Sequence, residues 1–228
     1  MNILAIDSCS NVATCAIVKS GILVGESVIN NKKTHSVKLL PLIDQLLKDT
    51  DTDIFEVDYY AVTVGPGSFT GQRIGISTIK GLCHATGKKC VGVSTLEALA
   101  HNVPLTDFFV CPIMDARREQ VYTATFKNGK HIVKDRAIAL TDLLAEQKGK
   151  NTVFVGDGVA VFRETITDFM GEFAHFPPLN FEHLRAGSVA AIAKEHIDLN
   201  LAINCHLLTP LYLRKSQAER EYLEKTHK

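Results

Sequence analysis

Runs of apolar residues, broken at regular intervals by turn-forming residues, divide the chain into short strands and amphipathic helices. Ile3 to Ile6 is an apolar run ended by Asp7-Ser8, Thr14 to Val18 is a second, and Ile22 to Ile29 follows across Ser20-Gly21. Apolar runs joined by two residues that include a glycine read as a hairpin. The chain therefore opens strand, strand, strand, the first two turning through Ser8 to Asn11. From Ser36 the period lengthens. Leu39, Leu40, Ile43, Leu46 and Leu47 share one helical face, with Asp44, Lys48 and Asp49 on the other. Ser36 is the expected N-cap. Pro41 lies too deep for the first turn and predicts a kink or a start delayed to about Leu40. Tyr59 to Val64 reads as a buried strand running into Gly65-Pro66-Gly67. A helix from about Thr70 to Thr86 and a strand at Cys90 to Val93 follow.

The pattern restarts near Pro104 to Asp107. Phe108 to Met114, Val121 to Phe126 and His131 to Ala137 read as three further strands, the last two joined across Asn128-Gly129, a strong hairpin turn. A short helix at Asp142 to Gln147, a strand at Thr152 to Val155 and a helical region from Ser188 to Ile197 complete this half. Each half thus begins with three strands and continues with helices and strands. The economical reading is a duplicated α/β fold, its mixed sheets covered by helices on both faces, although no residue-level repeat is visible. The lobes are placed at 1–103 and 104–228.

Composition narrows the function. With 228 residues, 46% of them hydrophobic, the chain can bury a core without a metal or disulfide staple. Lys plus Arg number 25, as do Asp plus Glu, so the formal net charge is zero. That removes the electrostatic footprint of a protein that grips a nucleic-acid backbone or an anionic membrane unaided; an RNA role would be local or shared. The six cysteines (Cys9, Cys15, Cys83, Cys90, Cys111, Cys205) lie in apolar or strand-like contexts without C-x-x-C spacing, which argues against structural zinc. They read as buried free thiols of a reducing cytoplasm. No signal peptide is recognised, and no run approaches 18 apolar residues, so no membrane span is expected.

Two features carry candidate chemistry. Asp7 and Asp115 stand at matching places, each ending the first strand of its half. In a duplicated α/β fold the crevice lies outside the carboxyl ends of the strands, so the two acids either face one another across it or each merely open a turn. The second feature runs from Gly65 through Pro66, Gly67, Ser68, Phe69, Thr70, Gly71, Gln72 and Arg73 to Gly75, four glycines in eleven residues between a strand and a helix. It is neither a Walker A loop, which needs Lys after the last glycine, nor G-x-G-x-x-G, because Thr70 takes the last glycine's place. Gly71 and Gly75 lie one turn apart on one helical face, with Thr78 next. Small residues there suit internal packing, a phosphate site or a partner-binding face.

This glycine segment resembles the signature of the TsaB (YeaZ) family, the small subunit of the bacterial machinery that places threonylcarbamoyl on the adenosine beside the tRNA anticodon. The likeness covers essentially the whole chain. Asp7-Ser8-Cys9-Ser10, Thr34-His35-Ser36 with Leu40-Pro41, Asp115-Ala116-Arg117-Arg118-Glu119-Gln120-Val121-Tyr122, Gly156-Asp157-Gly158 and Pro210-Leu211-Tyr212-Leu213-Arg214 resemble its other landmarks in order. Gln72, where the family usually carries Leu, is a departure. The resemblance implies the actin, sugar kinase and Hsp70 (ASKHA) type of fold. It also implies a non-catalytic scaffold that binds and activates the paralogue TsaD through the N-terminal lobe, with His35, Leu39, Gly67, Ser68, Phe69, Thr70, Gly71, Arg73 and Gly75 as partner-binding residues. Asp7, Ser8 and Asp115 would be nucleotide-proximal, with ATP or ADP bound only in the assembled complex and no tightly held cofactor. The further partners it implies are the TsaE ATPase, tRNA through the complex, and a second copy when the chain is isolated. The paralogue holds its metal on a His-x-x-x-His helix; at the corresponding place stand Thr95 and Leu99, which cannot replace two imidazoles, and His101 is two residues too late. A metallopeptidase reading fails on the same ligands. An ATP-dependent phosphotransferase of the same superfamily, with Asp7 placing Mg²⁺, is the alternative. Arg73, Lys80, Arg117 and Arg118 could touch RNA locally, and the charged tail from Arg214 to Lys228 reads as a helix or a frayed end.

Overall fold

The structure is a computed structural model that describes residues 1–31, 35–103 and 106–214. Thr34, Pro104 and the tail beyond Arg214, which sequence reasoning singled out, lie outside the described residues, and of His35 only the backbone is described. The first lobe runs β1 (Asn2–Asp7), β2 (Ala13–Lys19), β3 (Ile22–Ile29), α1 (His35–Asp49), β4 (Tyr59–Gly65), α2 (Phe69–Thr86), β5 (Lys89–Ser94) and α3 (Thr95–His101). The second runs β6 (Phe109–Asp115), β7 (Gln120–Lys127), β8 (Lys130–Ala139), α4 (Leu140–Gln147), β9 (Thr152–Val155), α5 (Gly158–Met170), β10 (Ala174–His175) and α6 (Ala186–Asp198). Sheet one has the order β3-β2-β1-β4-β5 and sheet two β8-β7-β6-β9-β10. Element for element these are the same order, the antiparallel hairpins on one side and the parallel crossovers on the other. The duplication predicted from the strand pattern is therefore a duplication of topology.

Local chemistry explains the elements. Both hairpin connections place their two central residues at positive φ, Ser20 and Gly21 in one lobe, Asn128 and Gly129 in the other, the arrangement that matches the twist of a two-residue hairpin. In β1 the side chains alternate between two buried faces. Leu4 and Ile6 pack with Leu39, Ile43 and Leu46 of α1 and Ile76 and Ile79 of α2. Ile3 and Ala5 pack toward Leu96 and Leu99 of α3 and Val189, Ala190 and Ala193 of α6, and this second cluster continues into Val110, Met114, Ala124 and Val153 of sheet two. The hydrophobic core thus passes from one lobe to the other without a break.

The structure differs from the sequence reading at the start of α1 and adds α5 and the placement of α6. α1 begins at His35, so Ser36 lies in its first turn instead of capping it, and the helix passes through Pro41 without the delayed start. Pro41 has no amide to offer the Val37 carbonyl, and Val37 is 65% exposed. α5 was not read from the sequence at all. Finally, α6 follows the second lobe in the chain but packs on β1, β2 and β5 of the first. Glu26 of β3 reaches across to it, accepting from the Gly187 N–H at 2.9 Å and from Arg185 Nε at 2.9 Å. Beyond α6, Ile203 forms an antiparallel bridge to Cys90 of β5, and Leu208 is buried in the first lobe's core.

Candidate functional site

The glycine segment leaves β4 at Gly65, turns through a cis Gly65–Pro66 bond and enters α2 at Phe69. It is laced to the chain just after β1. The Ser68 N–H donates to the Cys9 carbonyl (2.9 Å), the Ser68 hydroxyl caps the helix by accepting from the Gly71 N–H (3.1 Å), and the Ser8 hydroxyl donates to the Gly71 carbonyl (2.8 Å). Gly67 has φ of 152°, and a Cβ there would run into the Cys9 carbonyl. A Cβ at Gly71 would collide with the Ser8 carbonyl, and one at Gly75 would stand 2.6 Å from Ser8 Oγ. The row of small residues is therefore filled by the chain's own β1–β2 turn. Of the three readings of the glycine row, internal packing accounts for its geometry.

The two matching acids each make the same turn. Asp7 is fully buried; its carboxylate accepts from the Cys9 N–H (2.9 Å), the Ser10 hydroxyl (2.6 Å) and the Thr63 hydroxyl. Asp115 accepts from the Arg117 N–H (2.7 Å) and pairs with the Arg117 guanidinium (3.2 Å). Both are hydrogen-bonded to the amide two residues on, the local turn that short acids favour. Sequence reasoning missed the third member of the group, Asp157, at the N-terminal end of α5. Its Oδ1 is buried without a hydrogen-bond partner and it makes no capping bond. Burial, followed by the charges of Asp7 and Asp115, pushes its carboxyl up to about 6, partly offset by the backbone amides of Asp115 and Asn11. The signal was present in Gly156-Asp157-Gly158, a short acid between glycines at a strand-to-helix turn. Among the described residues no three His, Cys, Asp or Glu side chains are arranged to hold a metal ion.

The partner-binding candidates separate into two sets. Ser68, Thr70 and Arg73 are exposed and Phe69 is half-buried. Leu39, by contrast, is 1% exposed in the core beneath α1, a correction to its assignment as a surface contact; the outward positions are Val37 and Leu40, at 65% and 53%. Gly71 and Gly75 are buried and Gly67 partly so. A large residue at Gly75 would strike Ser8 and disturb folding before it touched binding. At the start of α2, Phe69 stacks on Tyr212 (4.8 Å between centroids, 16° between planes), and Arg73 Nε donates to the Tyr212 hydroxyl at 2.9 Å.

Thr95 and Leu99 are buried, at 0% and 1%, where α3 joins the core, and His101 is exposed. His101 lines a cavity of about 410 Å³ with Glu97, Phe126, Ile192 and Glu195, and none of the three crevice acids borders it. All six cysteines are buried and free. No helix among the described residues is long and apolar enough to cross a membrane.

Two lobes of identical strand order, joined by a shared core and carrying an acid at the end of each first strand, define the actin, sugar kinase and Hsp70 type of fold. Solved structures agree: component A of the (R)-2-hydroxyglutaryl-CoA dehydratase of Acidaminococcus fermentans superposes with a TM-score of 0.54 at 14% identity, over 87% of this chain and 99% of that one. A Pseudomonas aeruginosa protein described as uncharacterized with similarity to peptidase YEAZ superposes at 0.79 and 22% identity, over 93% of this chain and 99% of that one. The family model for TsaD, described as tRNA N6-adenosine threonylcarbamoyltransferase, matches residues 23–222. The tRNA threonylcarbamoyladenosine biosynthesis protein TsaB of Bacillus subtilis (strain 168) is 33% identical over 98% of this chain and 99% of its own length. The chain belongs to the TsaB (YeaZ) family.

Proposed function

We propose that this chain is the scaffold subunit of a complex that attaches threonylcarbamoyl to the adenosine beside the tRNA anticodon. In this reading it binds a TsaD paralogue through α1 and the first turns of α2 and carries no chemistry of its own. One observation supports this above the rest: the two places where the resemblance puts the paralogue's metal-binding histidines hold Thr95 and Leu99, both sealed in the core. Neither offers a ligand to a metal that must meet substrate. The glycine segment points the same way, since its Ser68 and Gly71 amides are taken by Cys9 and Ser68 itself and are not free for a phosphate. The exposed apolar side chains Val37 and Leu40, with half-exposed Tyr212 at 39%, supply a surface for another protein. A formal charge of zero suits a subunit whose main partner is a protein, with tRNA held by the assembly. A TsaE ATPase and, for the isolated chain, a second copy are the other partners of this reading.

Reconstitution tests it. The paralogue should form threonylcarbamoyladenosine on tRNA only when this chain is added, and the two should co-elute. Full activity of the paralogue alone would defeat the scaffold reading. Calorimetry with MgATP on the lone chain separates the phosphotransferase alternative, in which Asp7 would place the metal: micromolar binding would favour that enzyme over the scaffold.

A further inference from the structure

We propose that residues 208–214 form a strap across the two lobes, and that Tyr212 is a positioning residue holding Phe69 and Arg73, at the start of α2, in the arrangement the partner meets. This rests on the partner reading above and deepens it. Four independent contacts build the strap. Leu208 is buried at 2% in the first lobe's core. The Leu211 N–H donates to the Val64 carbonyl at 2.7 Å, and a Cβ on Gly65 would stand 2.6 Å from the Leu211 carbonyl, so the strap lies directly on the exit of β4. Tyr212 covers Phe69 and accepts from Arg73, whose guanidinium also lies 5.7 Å from the ring centroid. The Arg214 guanidinium then donates to the Ala116 carbonyl, in the turn after β6 of the other lobe.

The exposure of these groups separates a positioning role from core building. An aromatic that serves a core is buried; Tyr212 keeps 39% of its surface, Phe69 is half-buried and Arg73 is exposed. The stack and the hydrogen bond therefore add little burial to the fold. They restrict the rotamers of two side chains that face outward, which is the cost a partner otherwise bears on binding. Tyr212 shares the exposed surface, so it is itself offered to the partner.

The test uses the full chain, its TsaD paralogue, and the variants Tyr212→Ala and Tyr212→Phe. In Tyr212→Ala, amide deuterium exchange across residues 67–73 should quicken, and the dissociation constant for the paralogue should rise about tenfold, the range of an aromatic contact at an interface. The thermal midpoint should move by only about 2 °C. Tyr212→Phe keeps the stack and loses the hydroxyl, so it should recover most of the affinity and of the exchange protection, which a merely stabilising side chain would not do selectively. Wild-type exchange at 67–73 in Tyr212→Ala, or wild-type affinity, overturns the proposal. If the wild-type chain does not bind the paralogue, the partner reading fails instead, and the exchange measurement alone still decides whether Tyr212 orders the start of α2.

Discussion

Asp157→Asn should stabilise the protein at neutral pH, and the gain should fade in acid. The carboxyl is raised from 3.8 to about 6 by burial and by Asp7 and Asp115. A folded-state pKa above the unfolded one means that folding takes up a proton. The charged group therefore costs stability above pH 6, and this cost disappears as pH falls through 3.8. A shift of about two units corresponds to about 3 kcal/mol at pH 8, about half that at pH 5, and about a fifth of it at pH 4. Asparagine is nearly isosteric, removes the charge at every pH and can donate to either neighbouring carboxylate. Urea unfolding of both proteins at pH 4, 5, 6.5 and 8 gives the difference directly, and titrating groups remote from Asp157 cancel because they are common to both. A variant no more stable than wild type at pH 8, or a gain of the same size at all four pH values, would refute the electrostatic account of the crevice.

Three further outcomes follow from the packing. Gly71→Ala should cost about 3 kcal/mol in urea unfolding despite alanine's better helix propensity, because its Cβ meets the Ser8 carbonyl and main chain on both sides must shift; a loss under about 1 kcal/mol would show that the β1–β2 turn yields. Iodoacetamide at pH 8 should label none of the six thiols of the folded protein, since all are buried and burial pushes Cys15 and Cys111 up to about 12 and Cys9 higher still; rapid labelling of any one under native conditions, followed by mass spectrometry, would contradict this. Glu26→Gln should cost about 2 kcal/mol, because the Glu26 side chain is 6% exposed and binds both Arg185 and the Gly187 N–H in the first turn of α6, whose own N-cap residue makes no side-chain cap. The loss should persist in 0.5 M NaCl, and a loss that high salt abolishes would place the pair at the surface.

Periodicity was informative where one physical rule decided the outcome. Apart from the two-residue edge strand β10, the strands of both sheets follow from the runs read in the sequence, and the two hairpins from Ser20-Gly21 and Asn128-Gly129, because positive φ at two successive positions has few chemical solutions. The helical face beginning at Leu39 was found, but the pattern could not say which of Leu39 and Leu40 is outermost; that depends on how α1 is rotated against β2, a tertiary property. α5 escaped because its buried residues Val159, Ile166 and Met170 make a narrow stripe, interrupted by β-branched and aromatic residues that read equally as strand. The glycine row was visible as small residues at helical spacing, yet its counterpart, the Ser8 and Cys9 backbone, lies some sixty positions away. Asp157 and Tyr212 were legible only as landmarks, since their neighbours come from the opposite lobe or from the far end of the chain.

The matching strand orders make the two lobes comparable at a finer level than their sequences do. In each, the turn from the fourth strand into the following helix is glycine-packed against the first strand or the turn that leaves it: Gly67 and Gly71 against Cys9 and Ser8 just after β1, Gly156 and Gly158 against the Ile113 carbonyl in β6. Ser68 and Asp157 occupy the same place, the N-terminal position of that helix. Ser68 is neutral and satisfied, capping Gly71; Asp157 is acidic, makes no capping bond and stands near two further carboxylates. Polar groups of the first lobe's turn are thus largely used in holding the turn itself, whereas the second lobe keeps a carboxyl in an electrostatically costly position. The cost is local to the crevice acids, whereas Val37 and Leu40 of α1 and Tyr212 are among the apolar side chains exposed on other elements. In the scaffold reading, exposed apolar side chains such as Val37, Leu40 and Tyr212 are what a partner protein would cover, while the crevice keeps the unsatisfied carboxyl oxygen of Asp157 to itself.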